Sequence, residues 1–403
     1  MEDQTTQIAE IQYLIKKIEK ATIPEKLKEI LDVMVKRIRR MARQGKDSSE
    51  YEPIAKYIDW CLRIPWNKHN QDNLDLNNAK KTMDTHHYGG EDVKQNILEY
   101  LAVLKKKSTI QNALHQAPVM CFVGVQGTGK TTMAKAIAEA LGRPFYRISL
   151  GALSSSSELR GKPKGTPDSE PGQIIKALAK SGSLSPVLLL DEIDKVSGSQ
   201  SKLQDFMAIL LEILDPQQNT TFRDLYIDFP IDLSRVFFIC TANTLKTITR
   251  ALLDRLEIVE FKDYNVEEKA VILQRYLFPK ILQYAGLSNQ EFQIADDVWT
   301  TLADKFGDDP GVRRLERNMQ RLARKVTKQI VTGQAQAVML TKDNITNYIT
   351  DDLTTLKNLK EKEFKGHEDT QHENIQNQPT QTGQSGTTQK SPSQVQQPQE
   401  NIQ

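Results

Sequence analysis

A glycine-rich segment near residue 127 has the composition of a phosphate-binding loop. An apolar run, Val119 to Val123, is followed by the glycines and then by an alanine-rich helical pattern. A glycine loop between a strand and a helix turns backbone N–H groups and the positive end of the helix toward a phosphate. Lys130 would reach the β- and γ-phosphate oxygens, and the Thr131 hydroxyl would bind Mg²⁺. The candidate loop comprises Gly124, Val125, Gln126, Gly127, Thr128, Gly129, Lys130, Thr131 and Thr132.

A second apolar run ends in two adjacent carboxylates. Residues 186–190 precede Asp191 and Glu192, about sixty residues after the glycine loop. Asp191 would hold Mg²⁺ through water, and Glu192 would orient and deprotonate an attacking water molecule. Acidic strand ends are common, so this signal alone is weak. Its position after the glycine loop makes nucleotide hydrolysis the favoured reading over a chance glycine turn.

A third apolar run, Val236 to Cys240, ends in Thr241 and Ala242 and then in Asn243. Ligands of parallel α/β sheets bind beyond the carboxyl ends of the strands. We therefore expect the Asn243 amide to lie at the same sheet edge as the carboxylates, where it could hold the lytic water.

The order of elements predicts the fold class. Five strands alternate with helices between about residues 88 and 263, which predicts a three-layer α/β domain. Amphipathic helices precede this domain, with a break expected near Ile23 and Pro24, and others follow it. A further helix is expected from Glu91 to about Lys107. We predict four parts: 1–66, an α-helical segment; 67–263, the α/β core; 264–352, a helical lid domain; and 353–403, a disordered tail rich in Gln.

Two local signals in the helical lid point to structure or to ligand binding. Asn265 and Glu268 have the spacing of a capping box, so a helix should begin there and run through Leu282. Arg313 lies in the first turn of a helix, where the helix dipole disfavours a cation. An anionic partner from outside the helix and an ordinary surface salt bridge both explain this position.

Composition excludes several classes of protein. The 403 residues carry a net charge of +2, and no apolar run approaches the roughly eighteen residues of a membrane span. The first residues lack the layout of a secretory signal, so we expect a cytoplasmic protein without a membrane partner. The cysteines Cys61, Cys121 and Cys240 stand singly, as core thiols do. The basic helix face around Arg39 is better explained by exposure to solvent than by binding to nucleic acid.

Two adjacent histidines, His86 and His87, stand in a turn-like stretch before Gly89. Adjacent side chains diverge on a helix or a strand, and no further ligand lies nearby in the sequence. A structural or nucleobase-contacting role is therefore favoured over a metal site.

From about Ile11 to Ile349 the chain resembles the middle of the Lon protease family of AAA+ ATPases, which are P-loop NTPases. The resemblance extends over several separated motifs. These are Tyr57–Trp60, Ile64–Trp66, His87–Gly89, Ile97–Val103, Gly124–Thr132, Ile137–Gly142, Arg147–Gly151, Leu189–Lys195, Leu211–Pro216, Thr241–Thr244, Leu253–Arg255 and Gly311–Arg313.

The resemblance implies roles for individual residues. Asn243 would be the first sensor and Arg313 the second sensor, which contacts the γ-phosphate. Arg255 would be an arginine finger inserted into the neighbouring subunit's site, and Tyr88 would lie beside the adenine. ATP and Mg²⁺ are the implied ligands. A finger acting in trans implies a ring, hexameric in the family, and a guanidinium supplied in this way accelerates phosphoryl transfer by orders of magnitude.

The sequence departs from the family in three respects. We expect neither the family's N-terminal substrate domain nor its Ser-Lys peptidase domain in this chain. In the segment from Arg160 to Gly172, Thr166 and Pro167 stand where the family has an aromatic-aliphatic pair that grips a threaded polypeptide. Because these side chains bury less area than that pair, we expect a weaker grip on a protein substrate.

Two functions fit these observations. In the first, favoured because every residue assigned to hydrolysis is present, a Lon-like ring hydrolyses ATP to remodel proteins or to support a peptidase on another chain. In the second, an ATP-binding regulatory subunit assembles with full-length Lon protease and its own turnover is incidental. A degenerate copy that retains its motifs is a third possibility.

Overall fold

Apolar residues at spacings of three and four build the helices that open the chain. In a computed structural model, the residues described are 2–43, 51–107, 118–166, 168–196 and 200–348. The predictions about Pro167 and about the tail from residue 353 lie outside these ranges. The chain divides into two units, residues 1–342 and 343–403. One helix, Ile345–Tyr348, is described in the second unit.

The elements are numbered in chain order within the described ranges. The helices are α1 Glu2–Lys20, α2 Glu25–Arg43, α3 Tyr51–Arg63, α4 Leu76–His86, α5 Glu91–Lys107, α6 Lys130–Leu141, α7 Ser156–Arg160, α8 Gln173–Ser181, α9 Gln200–Leu214, α10 Arg250–Leu253, α11 Val266–Ile272, α12 Phe278–Ala285, α13 Trp299–Phe306, α14 Arg313–Val331 and α15 Ile345–Tyr348. The strands are β1 Met120–Val123, β2 Phe145–Ser149, β3 Val187–Asp191, β4 Phe222–Arg223, β5 Pro230–Ile231, β6 Phe237–Ala242, β7 Glu257–Glu260, β8 Phe292–Ile294 and β9 Val338–Leu340.

The central sheet is parallel, with the strand order β2-β3-β6-β1-β7. In register, Val123 of β1 pairs with Ala242 of β6 and with Glu260 of β7. The loop after β1 therefore begins between the ends of its two neighbouring strands. The predicted α/β fold with five strands is confirmed. The order of the strands in the sheet was not predicted from the sequence.

Helices cover both faces of this sheet, because successive residues of each strand point to opposite sides. Leu190 and Cys240 pack on one face with α8, α9 and the N-terminal helices. Leu189 and Ile239 pack on the other face with α4, α5 and α6. Both faces are buried, as is typical of parallel sheets. The result is the three-layer arrangement that the alternation of elements predicted.

The N-terminal segment has the predicted helices. The break expected near Ile23 and Pro24 separates α1 from α2, and α3 follows at Tyr51. The three cysteines are buried free thiols, as expected. Burial raises the pKa of Cys61 and of Cys121 to about 12, so both remain protonated at neutral pH.

The lid begins as predicted and then departs from the prediction. Asn265 caps α11 in a reciprocal capping box with Glu268. The single α-helix expected to run through Leu282 is instead interrupted by a π-helical turn, Leu273–Leu277, before α12. Pro279 lies in the first turn of α12 and has no N–H to donate to the preceding π-helical turn. A parallel pair of short strands, β8 and β9, completes the lid, and β8 had no clear signal in the sequence.

No helix in the part of the chain that the structure describes combines the length and the apolar content required to cross a bilayer.

Candidate functional site

The glycine loop leaves β1 and enters α6 through backbone conformations that favour glycine. Gly127 and Gly129 have φ values of +91° and +89°, and Gly129 is the N-cap of α6. A Cβ atom on Gly129 would lie 2.5 Å from the Cε1 atom of His87, and one on Gly127 would lie 3.3 Å from the backbone nitrogen of Arg313. A concave loop with no room for side chains suits a phosphate group.

Lys130, the first residue of α6, folds its side chain back into this loop. Its Nζ donates hydrogen bonds to the carbonyl oxygens of Gly124 and, at 2.9 Å, of Val125. The Oδ1 atom of Asn243 lies 3.4 Å from the same Nζ. Burial lowers the pKa of Lys130, while the carboxylates of Asp191 and Asp194 raise it. A buried ammonium group that faces weak carbonyl partners is well placed to exchange them for an anion.

Asp191 ends β3, and both of its carboxylate oxygens have partners. Arg147 of β2 donates to Oδ2 from Nε at 2.6 Å and from Nη2 at 2.5 Å. The hydroxyl of Thr241 donates to Oδ1. Asp191 is 5% exposed, and burying its charged carboxylate without these donors would lower the stability of the fold. The parallel register of β2, β3 and β6 therefore fixes this carboxylate at the sheet edge.

Glu192 follows in a left-handed backbone conformation, with φ of +60° and ψ of +51°. Its N–H donates to Thr241 Oγ1 at 2.9 Å, and its Oε1 accepts from Lys195 at 2.8 Å. A non-glycine residue in this region carries strain of order 1–3 kcal/mol, which is common at functional sites. The conformation turns the side chain out of the strand direction and leaves it 30% exposed.

Asn243 follows β6, and a second acidic residue holds its backbone. Asp194 Oδ2 accepts from the N–H groups of Asn243, at 3.0 Å, and of Thr244, at 3.3 Å. The structure thus brings Asn243, Lys130, Asp191 and Glu192 to one edge of the sheet, as the sequence predicted.

Arg313 reaches the same loop from the lid. Its Nη1 donates to Gln126 Oε1 at 3.2 Å, and the N–H of Val312 donates to the Gly127 carbonyl at 3.2 Å. Gly311 permits this approach, because a Cβ atom there would lie 2.6 Å from the carbonyl oxygen of Gln126. Of the two explanations for the cation in this first helical turn, the contact with the glycine loop favours an anionic ligand.

The two histidines separate, as expected of adjacent residues. His86 lies near Glu139, with 3.1 Å between Nε2 and Oε2, whereas His87 is buried against Gly129 and Phe261. Burial, with a smaller effect of Lys94, lowers the pKa of His87 to about 4, so its imidazole is neutral. The neutral His87 ring packs directly against the glycine loop at Gly129.

Tyr88 is partly exposed at the bend that ends in the left-handed Gly89 and Gly90. Burial raises the pKa of the neighbouring Tyr264 to about 12, and Glu268 and Tyr88 add smaller contributions. Tyr264 in turn contacts the glycine loop, since its hydroxyl donates to the Thr128 carbonyl at 2.8 Å. Tyr88 directly follows His87, whose ring packs against Gly129 of this loop.

The hydrogen bonds of Arg255 are to residues outside the cluster formed by Lys130, Asp191, Glu192 and Asn243. Its Nε and Nη2 donate to Asp215 Oδ2 at 3.2 and 3.0 Å, and its Nη1 donates to the Ala251 carbonyl at 2.7 Å. The side chain is 34% exposed. It lies at the surface of its own subunit, and its role as a finger stays a prediction.

The remaining loop residues have supporting positions. Thr131 is partly buried and Thr132 is exposed on the first turn of α6. Thr128 is fully buried, and its hydroxyl donates to the Val125 carbonyl at 3.0 Å. A hydroxyl and a carboxylate are oxygen ligands of the kind that Mg²⁺ prefers, with waters and phosphate oxygens completing its shell. The left-handed glycine cradle and the inward-folded Lys130 fit a triphosphate beside such an ion.

Sequence reasoning missed four residues of the site. Arg147, Asp194 and Thr241 stand inside named motifs, but the sequence indicates no role for their side chains. Arg147 pairs with a carboxylate 44 positions away, and Tyr264 contacts a carbonyl 136 positions away, so only the folded chain reveals either contact.

Two family models match the chain. Residues 120–264 match the model described as "ATPase family associated with various cellular activities (AAA)". Residues 283–338 match the model described as "Lon protease AAA+ ATPase lid domain". The two matches cover the parallel sheet and most of the helical lid.

Curated relatives resemble most of the chain. It is 42% identical to a Lon protease of Nitrosococcus oceani over 84% of its length, and 39% identical to Lon protease 1 of Bacillus subtilis over 86%. A mitochondrial Lon protease homolog of Homo sapiens is 36% identical over 82% of the chain. These matches cover 42%, 44% and 34% of the respective relatives, so the chain spans less than half of their length.

Proposed function

The chain carries the ATPase module of the Lon protease family, and from this premise we propose that it binds and hydrolyses ATP within a ring of identical subunits. We propose Lys130, Asp191, Glu192, Asn243 and Arg313 as the residues of one site. The observation that carries the proposal is the position of Lys130, whose buried ammonium lies inside a left-handed glycine loop that Arg313 contacts from the lid.

Each residue of the proposed site has its own role in hydrolysis. Lys130 and the N–H groups of the loop bind phosphate oxygens, and Arg313 adds a second positive charge from the lid. Glu192 accepts a proton from the attacking water as the oxygen of that water bonds to the γ-phosphorus and the bond to the β-phosphate oxygen breaks. Asn243 orients the water. Tyr88 is proposed to lie beside the adenine.

A Mg²⁺ ion would be held by Thr131 and, through water, by Asp191, and when bound it neutralises charge on the phosphates. Asp191 is prepared for this role by the donors of Arg147 and Thr241, which keep its buried carboxylate oriented.

Assembly and substrates are the wider part of the proposal. We propose that Arg255, whose side chain is 34% exposed, completes the site of a neighbouring subunit, and that the ring is a hexamer. Turnover would remodel protein substrates or support a peptidase, on full-length Lon protease or on another chain. Relatives include bacterial Lon proteases and a homolog described as mitochondrial. The cytoplasmic location predicted from sequence remains a proposal.

Single-turnover hydrolysis of ATP by the purified chain tests the proposal, with Glu192→Gln as the variant. This substitution keeps size and polarity but removes the base, so we expect intact ATP binding and a hydrolysis rate lower by at least about 100-fold. Equal hydrolysis rates for the two proteins would reject the assigned chemistry.

A further inference from the structure

Two tyrosines of the lid each donate a hydrogen bond to the backbone of the α/β core, one to the glycine loop and one to the last turn of α4. The Tyr264 hydroxyl donates to the Thr128 carbonyl at 2.8 Å. The Tyr276 hydroxyl donates to the Asp84 carbonyl at 2.8 Å. Neither tyrosine belongs to the set of residues proposed above for hydrolysis.

Tyr264 lies at the junction between core and lid. It follows the end of β7 and directly precedes Asn265, the N-cap of α11. Its N–H donates to the Pro310 carbonyl at 3.2 Å, next to the Gly311 that approaches the glycine loop. Burial raises the pKa of Tyr264 to about 12, so the phenol keeps the proton that it donates. One residue therefore joins the start of the lid, the loop before α14 and the glycine loop.

Tyr276 contacts the last turn of α4. The Asp84 carbonyl belongs to the last turn of α4, where carbonyl groups lack partners within the helix. The carboxylate of Asp84 is held by the buried Lys94, with 2.6 Å between Nζ and Oδ1, so the acceptor belongs to a fixed turn. This turn leads within a few residues to His87 and Tyr88.

The lid helix deviates from α-helical geometry where it makes this contact. Tyr276 lies in the π-helical turn Leu273–Leu277, between α11 and α12. A π turn adds a residue to one helical turn and is frequently found at functional sites, because it redirects the side chains that follow. Here the distorted turn carries a side chain that reaches the core.

We propose that Tyr264 and Tyr276 are positioning residues that set how long nucleotide stays bound. The inference rests on the proposed function. Nucleotide that lies between the glycine loop and the Tyr88 bend is released when the lid moves away, and this movement breaks both hydrogen bonds. Removing either hydroxyl therefore speeds release, while the rings and their packing remain.

The alternative is that both bonds merely stabilise the contact between lid and core in the folded protein. In that case Tyr→Phe substitutions lower the thermal midpoint and leave the release rate unchanged. The lid offers a matched control in Tyr284, which is 63% exposed on the last turn of α12.

The test is stopped-flow release of N-methylanthraniloyl-ADP from the full chain, chased with excess ADP. We expect Tyr264→Phe and Tyr276→Phe each to release it about 3- to 10-fold faster, the double variant faster than either, and Tyr284→Phe at the wild-type rate. Thermal midpoints of all variants are measured in parallel.

Wild-type release rates in both single variants and in the double variant would overturn the inference, whatever their thermal midpoints. If the wild-type protein does not bind the analogue at all, the proposed function itself fails. The two failures are therefore distinguishable in one experiment.

Discussion

His87 shows at the scale of one residue how packing under the glycine loop sets protonation. Its ring lies against Gly129 and Phe261, and burial lowers its pKa from 6.5 to about 4. The folded protein thus keeps a neutral imidazole in a range of pH where the unfolded chain binds a proton. A neutral ring can pack under the loop without adding charge beside Lys130.

The shift predicts a loss of stability in acid. As pH falls from 6.5 to 4, the unfolded chain gains a proton at His87 and the folded chain does not, so the free energy of unfolding decreases. The contribution approaches about 3 kcal/mol at pH 4. We expect His87→Gln, which cannot be protonated, to lose less stability over this window, as measured by urea unfolding midpoints between pH 7.5 and 4.

Asp224 also titrates in this pH range, so the wild type must be compared with the His87→Gln variant. Burial raises its pKa to about 6, so its contribution to stability has the opposite sign and is lost as pH rises through 6. Because Asp224 is present in both proteins, the difference between their curves isolates His87. Parallel curves for the wild type and the variant would contradict the assigned pKa of His87.

At the scale of elements, the junction between lid and glycine loop depends on one close backbone approach. A Cβ atom on Gly311 would lie 2.6 Å from both the Gln126 carbonyl oxygen and the Gly127 carbonyl carbon. We predict that Gly311→Ala prevents the lid from sitting on the loop. Overpacking of this kind costs about 1–3 kcal/mol, so nucleotide affinity should fall roughly 5- to 150-fold in calorimetric titrations with ADP.

Gly286→Ala is the matched control within the lid. Gly286 has φ of +67° and open space around its Cβ position, so alanine there meets backbone strain but no clash. We expect a lower thermal midpoint from left-handed strain of about 1–2 kcal/mol and an unchanged affinity for ADP. Equal affinities for all three proteins would contradict the described contact.

The sequence predicted those elements whose signals are local. Helix α11 begins at its capping box because Asn265 and Glu268 are three residues apart, and α5 has the bounds that its pattern indicated. The carboxylate and amide ends of β3 and β6 could be placed at one sheet edge, because parallel strands share a direction.

Features that depend on distant contacts could not be predicted. The strand order β2-β3-β6-β1-β7 depends on pairing between strands far apart in the chain. The two-residue strands β4 and β5 are too short to show a period. The bonds of Arg147 to Asp191 and of Tyr276 to Asp84 join residues 44 and 192 positions apart. Each of these features is determined by tertiary contacts, which a short stretch of sequence does not reveal.

At the scale of the whole molecule, we predict that one site needs two chains. Arg255 pairs with Asp215 on its own surface, whereas Glu192 lies at the sheet edge of the same chain. If the finger acts in trans, Arg255→Ala and Glu192→Gln chains are each inactive alone. A mixture of the two creates some interfaces in which an intact Glu192 faces an intact Arg255.

Mixing these two inactive proteins should therefore restore a fraction of wild-type hydrolysis, with a dependence on total protein concentration. Native mass measured with and without ATP should show assembly beyond the 45.8 kDa chain. A mixture that stays as inactive as its components would contradict action in trans, while leaving binding of ATP by each chain intact.

Calorimetric titration of ATP in the presence of Mg²⁺, with Lys130→Met compared with the wild type and with Lys135→Met, measures what the loop lysine contributes to binding. Lys135 is an exposed lysine on the same helix, so its loss removes a similar charge outside the loop. We predict that loss of the buried Lys130 weakens binding by about 2–4 kcal/mol, or roughly 30-fold to several hundred-fold, and that Lys135→Met binds like the wild type. Absence of heat with the wild-type protein, or equal affinities for the wild type and Lys130→Met, would contradict this prediction.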